Sequence, residues 1–278
     1  MTRTLASNEQ KPHLCIYHGP TCLDGFAAAW AVHRYFGETE SIAAVYGTSP
    51  PDVTGRNVVI VDFSYPQAIL EEMNAEANSL LVLDHHATAE RDIRDAAVNA
   101  LFDLSRSGAG LAWDYFFPKQ ARPALLNYVE DYDLWRFALP HARLVHAALA
   151  AYDFDFDVWD HLMRQPIESF FHDGEVLDRK QRKDVRILLA ATKREMVIGG
   201  RRVPVANIPG ILVSEAGSIL AQGHPFAACY WDSPLGRVFS LRSAPNGIDV
   251  STIAQAYGGG GHYHAASFRA PRGWEGET

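Results

Sequence analysis

Asp84-His85-His86 closes the apolar run Leu80-Leu81-Val82-Leu83, so two imidazoles and a carboxylate stand where a buried strand should surface into a cleft. Neutral imidazole and carboxylate are the usual ligands of manganese, iron and zinc, and a strand end is a rigid mount for them. The triplet could therefore hold a divalent metal and a phosphate together. An aspartate cap followed by two surface histidines is the plainer alternative. Leu14-Cys15-Ile16-Tyr17 ends at His18, and Thr21-Cys22-Leu23-Asp24-Gly25 opens an alanine-rich helical stretch at 26–36. Val58-Val59-Ile60-Val61 ends at Asp62, before a helix predicted from Pro66 to about 77. The stretch 125–135 reads as a helix carrying Glu130, Asp131 and Asp133 among apolar neighbours, an awkward place for three carboxylates unless something positive binds them. Singly, Asp24 and Asp62 could cap helices, His18 could be an interior histidine, and Asp131 and Asp133 could lie on a solvated face. Their recurrence at successive strand ends favours one metal site, because open parallel sheets gather ligands beyond the carboxyl ends of their strands.

The elements that must position these residues alternate strand and helix from His13 to Tyr152, which predicts an α/β domain with a mostly parallel sheet and helices on both faces. We place this first domain at 1–153, a helical linker at 154–198 and a smaller α+β domain at 199–278. Within the linker, 174–196 reads as one long helix. Its Arg179, Lys180, Arg182, Lys183 and Arg186 alternate with Glu175, Asp178 and Asp184, as on a solvated face. The last domain begins near 201–206; strands are expected after it at 226–231, 237–242 and 267–270, with helices at 214–221 and 250–257. The run Gly258-Gly259-Gly260-Gly261 lies between the second of these helices and the last strand, and a loop without side chains could bring its N–H groups close to a phosphate.

Composition narrows the function classes. The 278 residues suit two modest cores, and 33 acidic against 25 basic residues give a net charge of -8. That sign disfavours long duplex nucleic acid, yet permits a short anionic substrate in a locally positive cleft. No apolar stretch approaches the roughly 20 residues of a membrane span, and the polar start Met1-Thr2-Arg3-Thr4 has no apolar leader core. Cys15, Cys22 and Cys229 have neither disulfide nor metal-pair spacing, so a cytoplasmic protein is expected.

The order of the motifs resembles the DHH phosphoesterase family, named for its Asp-His-His triplet, over nearly the whole chain. Its first motif, His-x-x-x-Asp-x-Asp-Gly, corresponds to His18 through Gly25; its later motifs correspond to Asp62, to Asp84-His85-His86 and to Asp131. Gly258 to His262, followed by Ala265-Ala266-Ser267-Phe268, resembles the glycine-rich signature of the DHH-associated domain. The resemblance implies one ion held by Asp24, Asp62, His85 and Asp131, with a second held by His18, Asp62 and a further carboxylate. That carboxylate is replaced by Cys22. Manganese is the expected ion, in one or two copies; a thiolate at Cys22 would favour zinc or iron, whereas a Cys22 that merely packs would leave the second ion weak or absent. The resemblance further implies that Asp84 orients His85, that His86 meets the phosphate, and that Arg242, Gly259, Gly260, Gly261 and His262 bind substrate. Arg106, near a helix start, could add a phosphate contact or be an exposed residue of the cap region. The implied activity is metal-dependent hydrolysis of small phosphorylated substrates, short single-stranded oligonucleotides or nucleotides first and inorganic polyphosphate or pyrophosphate second. A nucleotide sensor without hydrolysis is the alternative from another class.

Overall fold

The computed structural model describes residues 14–277; the polar start and His13 lie outside the described residues. The chain divides into two compact units, with the boundary between Asp178 and Arg179.

In the first unit, β1 (Leu14–His18), β2 (Glu40–Ala44), β3 (Asn57–Val61), β4 (Ser79–Asp84) and β5 (Asn99–Phe102) form a parallel sheet in the order β2-β1-β3-β4-β5. Successive residues of a strand point to opposite faces, and here both faces are apolar. Leu14, Ile16, Val58, Ile60, Leu80 and Val82 pack on one face, with Leu70 and Met73 of α2 (Gln67–Glu76). Cys15, Val59, Val61, Leu81 and Leu83 pack on the other, against α1 (Leu23–Phe36) and against Ala109, Leu111, Leu125 and Val129 of two later helices. Burying each of these aliphatic side chains contributes roughly 1.5–3 kcal/mol. This is why the central strands read as unbroken apolar runs, whereas β2 and β5 at the edges carry fewer apolar residues and escaped the sequence reading.

After β4 come the short helix α3 (Ala87–Asp92) and, beyond β5, α4 (Gly108–Phe116), α5 (Ala124–Asp133), α6 (Ala142–Leu149) and α7 (Phe156–Leu162). The alanines of α1 and the small residues Gly108, Ala109, Gly110 and Ala112 of α4 let these two helices lie close, with Trp30 stacked on Trp113 at 5.6 Å. The segment expected to begin a linker instead completes this core: Phe154, Phe156 and Trp159 all pack around Phe26 at 4.9–5.0 Å.

The boundary between the units falls within α8 (Phe171–Thr192). The helix predicted at 174–196 stops short of its expected end, because Arg194–Ile198 forms a strand, β6. It turns back onto β7 (Arg201–Asn207) through Gly199 and Gly200, whose φ values of 58° and 68° suit a two-residue hairpin of type I′. β8 (Ala227–Ser233), β9 (Gly236–Arg242), β10 (Gly260–His262) and β11 (Ala265–Ala270) complete a mixed sheet in the order β10-β11-β9-β8-β7-β6, in which only β7 and β8 run parallel. Two helices, α9 (Val213–Leu220) and α10 (Val250–Ala256), pack in the two cores that flank it. Among the described residues no helix is long and apolar enough to cross a membrane.

The glycine run also departs from expectation. It is not all loop: β10 begins at Gly260 and pairs with β11. A Cβ on Gly259 would lie 2.0 Å from the Ser267 carbonyl oxygen, and one on Gly261, at φ 140°, would lie 2.6 Å from that of Ala265. Close backbone packing against β11 therefore requires these glycines whether or not a phosphate binds.

Candidate metal centre

Asp62 follows β3 directly and holds φ at 55°, a left-handed conformation uncommon outside glycine and best tolerated by Asp and Asn. Its N–H donates to the Leu83 carbonyl at 2.9 Å, and a Cβ on Gly108 would come within 2.3 Å of Asp62 Cβ. The first turn of α4 can approach only because Gly108 lacks a side chain. Asp24 caps that turn, accepting from the N–H groups of Gly108 at 2.6 Å and Ala109 at 3.2 Å. Gly25 is constrained in the same way, since a Cβ there would sit 2.0 Å from the His18 carbonyl oxygen.

His85 lies beyond β4, buried, with Nε2 3.0 Å from Asp62 Oδ1, 3.6 Å from Asp133 Oδ2 and 3.9 Å from Asp24 Oδ2. On the opposite side of the Asp62 carboxylate, Oδ2 is 3.5 Å from both His18 Nδ1 and Cys22 Sγ. The two oxygens of one buried carboxylate thus face two groups of donors. Asp84 Oδ1 accepts from the N–H groups of His85 at 2.7 Å and His86 at 3.3 Å, and it lies 2.7 Å from His86 Nδ1. This network puts a proton on Nδ1, so Nε2 of His86 faces away from Asp84. Asp84 grips the ring of His86 and only the backbone of His85, where sequence reasoning expected it to orient His85.

Asp131 is buried but turned elsewhere. Its oxygens accept from the N–H groups of Ala138 at 2.9 Å and Leu139 at 3.3 Å, bracing the loop after α5. Two residues on a helix are about 200° apart, so only one of Asp131 and Asp133 can face the sheet ends. Asp133 does, and its side chain remains 29% exposed. Arg106 is likewise committed: it pairs with Asp103 at 2.7 Å and Asp114 at 3.0 Å. Asp114 also pairs with Arg122, which reaches Glu130 at 3.0 Å, and Glu130 accepts the Ser107 N–H. This network ties the start of α4 to α5. In the second unit, Arg242 ends β9 and donates to Ser240 Oγ, the Leu241 carbonyl and Ser214 Oγ at 2.8–2.9 Å, while His262 ends β10 opposite Ala265.

Sequence reasoning missed Tyr46. It stands in the turn after the edge strand β2, with its ring 5.5 Å from that of His18, 5.9 Å from that of His86 and 4.7 Å from that of Phe63. Nothing around Val45-Tyr46-Gly47 marks it. The N-terminus of α4 had a weak signal in Ser107-Gly108-Ala109-Gly110, a capping serine before residues small enough for close approach.

The electrostatics follow from this crowding. Burial lowers the His85 imidazole, but its hydrogen bond to Asp62 and the charges of Asp133, Asp62 and Asp24 outweigh it and hold it well above its ordinary value. Burial raises Asp24, with Asp62 and Asp133 adding repulsion, and burial raises Asp133. Asp62 is held well below the carboxylate range because hydrogen bonds to His18 and His85 overcome its burial. The Cys22 thiol is pushed up by burial and then by Asp62, Asp24 and Asp133. Three carboxylates converging on one imidazole form a site that a dication would neutralise. Asp24, His85 and Asp133 each bring a ligand atom within 4.8 Å of the others, as do His18, Cys22 and Asp62. Oxygen and nitrogen donors of this kind fit a divalent ion, with sulfur available only on the His18 side.

No family model matches the chain. It is 27% identical over 296 residues to an uncharacterised protein of Acanthamoeba polyphaga mimivirus, covering 93% of this chain and 68% of that one. Among solved structures, it is similar to the pGpG-specific phosphodiesterase PggH from Vibrio cholerae, with a TM-score of 0.50 and 13% identity over 93% of each chain. An exopolyphosphatase-related protein from Bacteroides fragilis aligns with a TM-score of 0.49 and 12% identity, over 97% of this chain and 93% of that one. At these identities the likeness is one of fold.

Proposed function

The chain has a DHH-type phosphoesterase fold with a buried Asp/His cluster at its strand ends, and we propose that it is a metal-dependent phosphoesterase of small phosphorylated substrates, short oligonucleotides or nucleotides first. The observation that carries this reading is the convergence of Asp24, Asp133 and one oxygen of Asp62 on Nε2 of His85 while His18 and Cys22 approach the other oxygen of Asp62. Asp24, Asp62, His85 and Asp133 would hold one ion, and His18, Cys22 and Asp62 a second. Asp133 takes the place for which Asp131 was expected. A bound divalent ion supplies Lewis acidity toward a phosphoryl oxygen and lowers the pKa of coordinated water.

The chain's own residues do the rest. Asp84 fixes the His86 ring; burial lowers this imidazole, but the Asp84 charge and hydrogen bond raise it above its ordinary value, so it tends to keep a second proton, on Nε2. That proton would meet a phosphoryl or leaving-group oxygen. Arg106, paired with Asp103 and Asp114, is proposed to brace α4 rather than to bind phosphate. In the second unit, Arg242 is proposed to contact substrate phosphate, with its guanidinium held at the end of β9 by Ser240 Oγ, the Leu241 carbonyl and Ser214 Oγ. The fold shared with a pGpG-specific phosphodiesterase supports a small phosphorylated substrate.

The test is a screen of the purified protein against short RNA, adenosine bisphosphate, cyclic dinucleotides and polyphosphate, each with manganese, zinc, magnesium or iron(II). Metal-dependent release of nucleotide or phosphate is expected, with the nucleotide substrates fastest. Preferential cleavage of polyphosphate would move the substrate class. Tight nucleotide binding with no cleavage under any metal would replace the enzyme with a sensor.

A further inference from the structure

Tyr46 reaches the cluster from the sheet edge. β2 pairs with β1 in a register that sets Ala44 beside His18, so the turn that follows emerges at the carboxyl edge where His18, Asp62 and His85 are mounted. That turn is tight: Thr48 returns its N–H and its hydroxyl to the Val45 carbonyl at 3.1 and 2.7 Å, and Gly47 holds φ at 81°. Between them Tyr46 packs edge-on against the rings of both His18 and His86, at interplanar angles of 65° and 77°, and leans on Phe63 at 42°. His18 and His86 are themselves edge to face at 5.7 Å, so the three rings form a corner around the oxygen of Asp62 that faces His18. The residue is 38% exposed, so one part of the ring meets solvent while the rest is seated on the two histidines.

A phenol carries an O–H donor. A tetrahedral phosphate entering beside His86 would meet the Tyr46 ring seated against that imidazole and bring its oxygens to the hydroxyl.

We propose that Tyr46 is a substrate-binding residue of the active site, its hydroxyl donating a hydrogen bond to a non-bridging phosphoryl oxygen of the substrate beside His86. This rests on the phosphoesterase reading above. The ring also restricts the imidazoles of His18 and His86 by contact, so the hydroxyl and the ring have separable roles.

The experiment compares the full-length wild-type protein with Tyr46→Phe and Tyr46→Leu, using manganese, an activated phosphodiester and inorganic phosphate as a product analogue. Phosphate affinity is read by calorimetry and by inhibition; kcat and KM, bound manganese and Tm are read in parallel. Loss of one hydrogen bond to a charged group predicts a drop of roughly ten- to a hundredfold in phosphate affinity and in kcat/KM for Tyr46→Phe, with manganese content and Tm unchanged. Tyr46→Leu should lose at least as much and also lower Tm. Unchanged phosphate affinity and kcat/KM in Tyr46→Phe would overturn the proposal, as would a loss matched by lost manganese, since Tyr46 would then act through the ligands. A wild-type protein that neither binds phosphate nor cleaves the diester would reject the phosphoesterase reading and this inference with it; wild-type activity with an indifferent Tyr46→Phe rejects this inference alone.

Discussion

The two sides of the Asp62 carboxylate differ in the chemistry that they offer an ion. Oδ1 meets the imidazole of His85, on which the carboxylates of Asp24 and Asp133 also converge; facing Oδ2 are an imidazole and a thiol, His18 and Cys22. The first side gathers three carboxylates around one imidazole, which suits a hard dication that would take the place of the His85 proton. The second side has little charge of its own beyond Asp62, and an ion that uses Cys22 must release a proton from a thiol that burial and three carboxylates make less acidic. Softer ions offset that cost best. A single substitution in a ligand set can therefore split a paired site into a strong half and a selective half.

Removing the shared group should have the largest effect. Asp62→Asn, which suits the left-handed backbone at this position, should reduce phosphate-ester cleavage by on the order of a thousandfold or more and weaken metal binding on both sides, without loss of fold by circular dichroism. His85→Asn should lower turnover nearly as far while touching one side alone. Full turnover in either variant would break the comparison.

Asp133→Asn against Asp131→Ala sharpens the first side. Asp133→Asn should weaken metal binding by roughly ten- to a hundredfold with little change in Tm. Asp131→Ala should leave metal affinity close to wild type yet destabilise by about 1–3 kcal/mol in a denaturant titration, because the N–H groups of Ala138 and Leu139 lose their acceptors. The reverse pattern would return Asp131 to the ligand set. On the second side, Cys22→Asp should raise manganese affinity by about tenfold and lower zinc retention, read by elemental analysis after desalting. Identical metals in identical ratio would show that Cys22 only packs.

The smallest effect contrasts two histidines. His146 is half-buried and stacks on Tyr132, and among the described residues it shows no carboxylate partner to compare with those of His85; burial, and then Arg143, lower it from 6.5 to about 3. Between these values the unfolded chain takes up a proton that the native state refuses, so stability falls as pH drops below the unfolded value. Relative to His146→Gln, the wild-type protein should lose about 1 kcal/mol between pH 7.5 and 5.5. Equal pH dependence of the two proteins would remove that contrast.

Where the sequence was legible, two signals coincided. β1, β3 and β4 are apolar on both faces and each ends at or next to a titratable side chain, so both strand and ligand positions could be read from His18, Asp62 and Asp84. Asp131 and Asp133 were not separable because helical phase tells which residues oppose each other but not which side meets the sheet. β10 was hidden because glycines have no side chains to alternate. Tyr46 was hidden because it acts from a turn after a partly polar edge strand, whose pattern carries no sign of the histidines it meets in space. The pairing of Asp84 with the His86 ring, rather than that of His85, is a matter of rotamer and has no trace in the order of the three residues.

Calorimetric titration of manganese into metal-free wild-type protein and Asp62→Asn tests the account most directly. The account predicts saturable binding to the wild-type chain and a loss of at least about a hundredfold in the variant, at unchanged or higher Tm. Equal affinity in the two proteins, or no binding to the wild type, would contradict a metal centre built around Asp62.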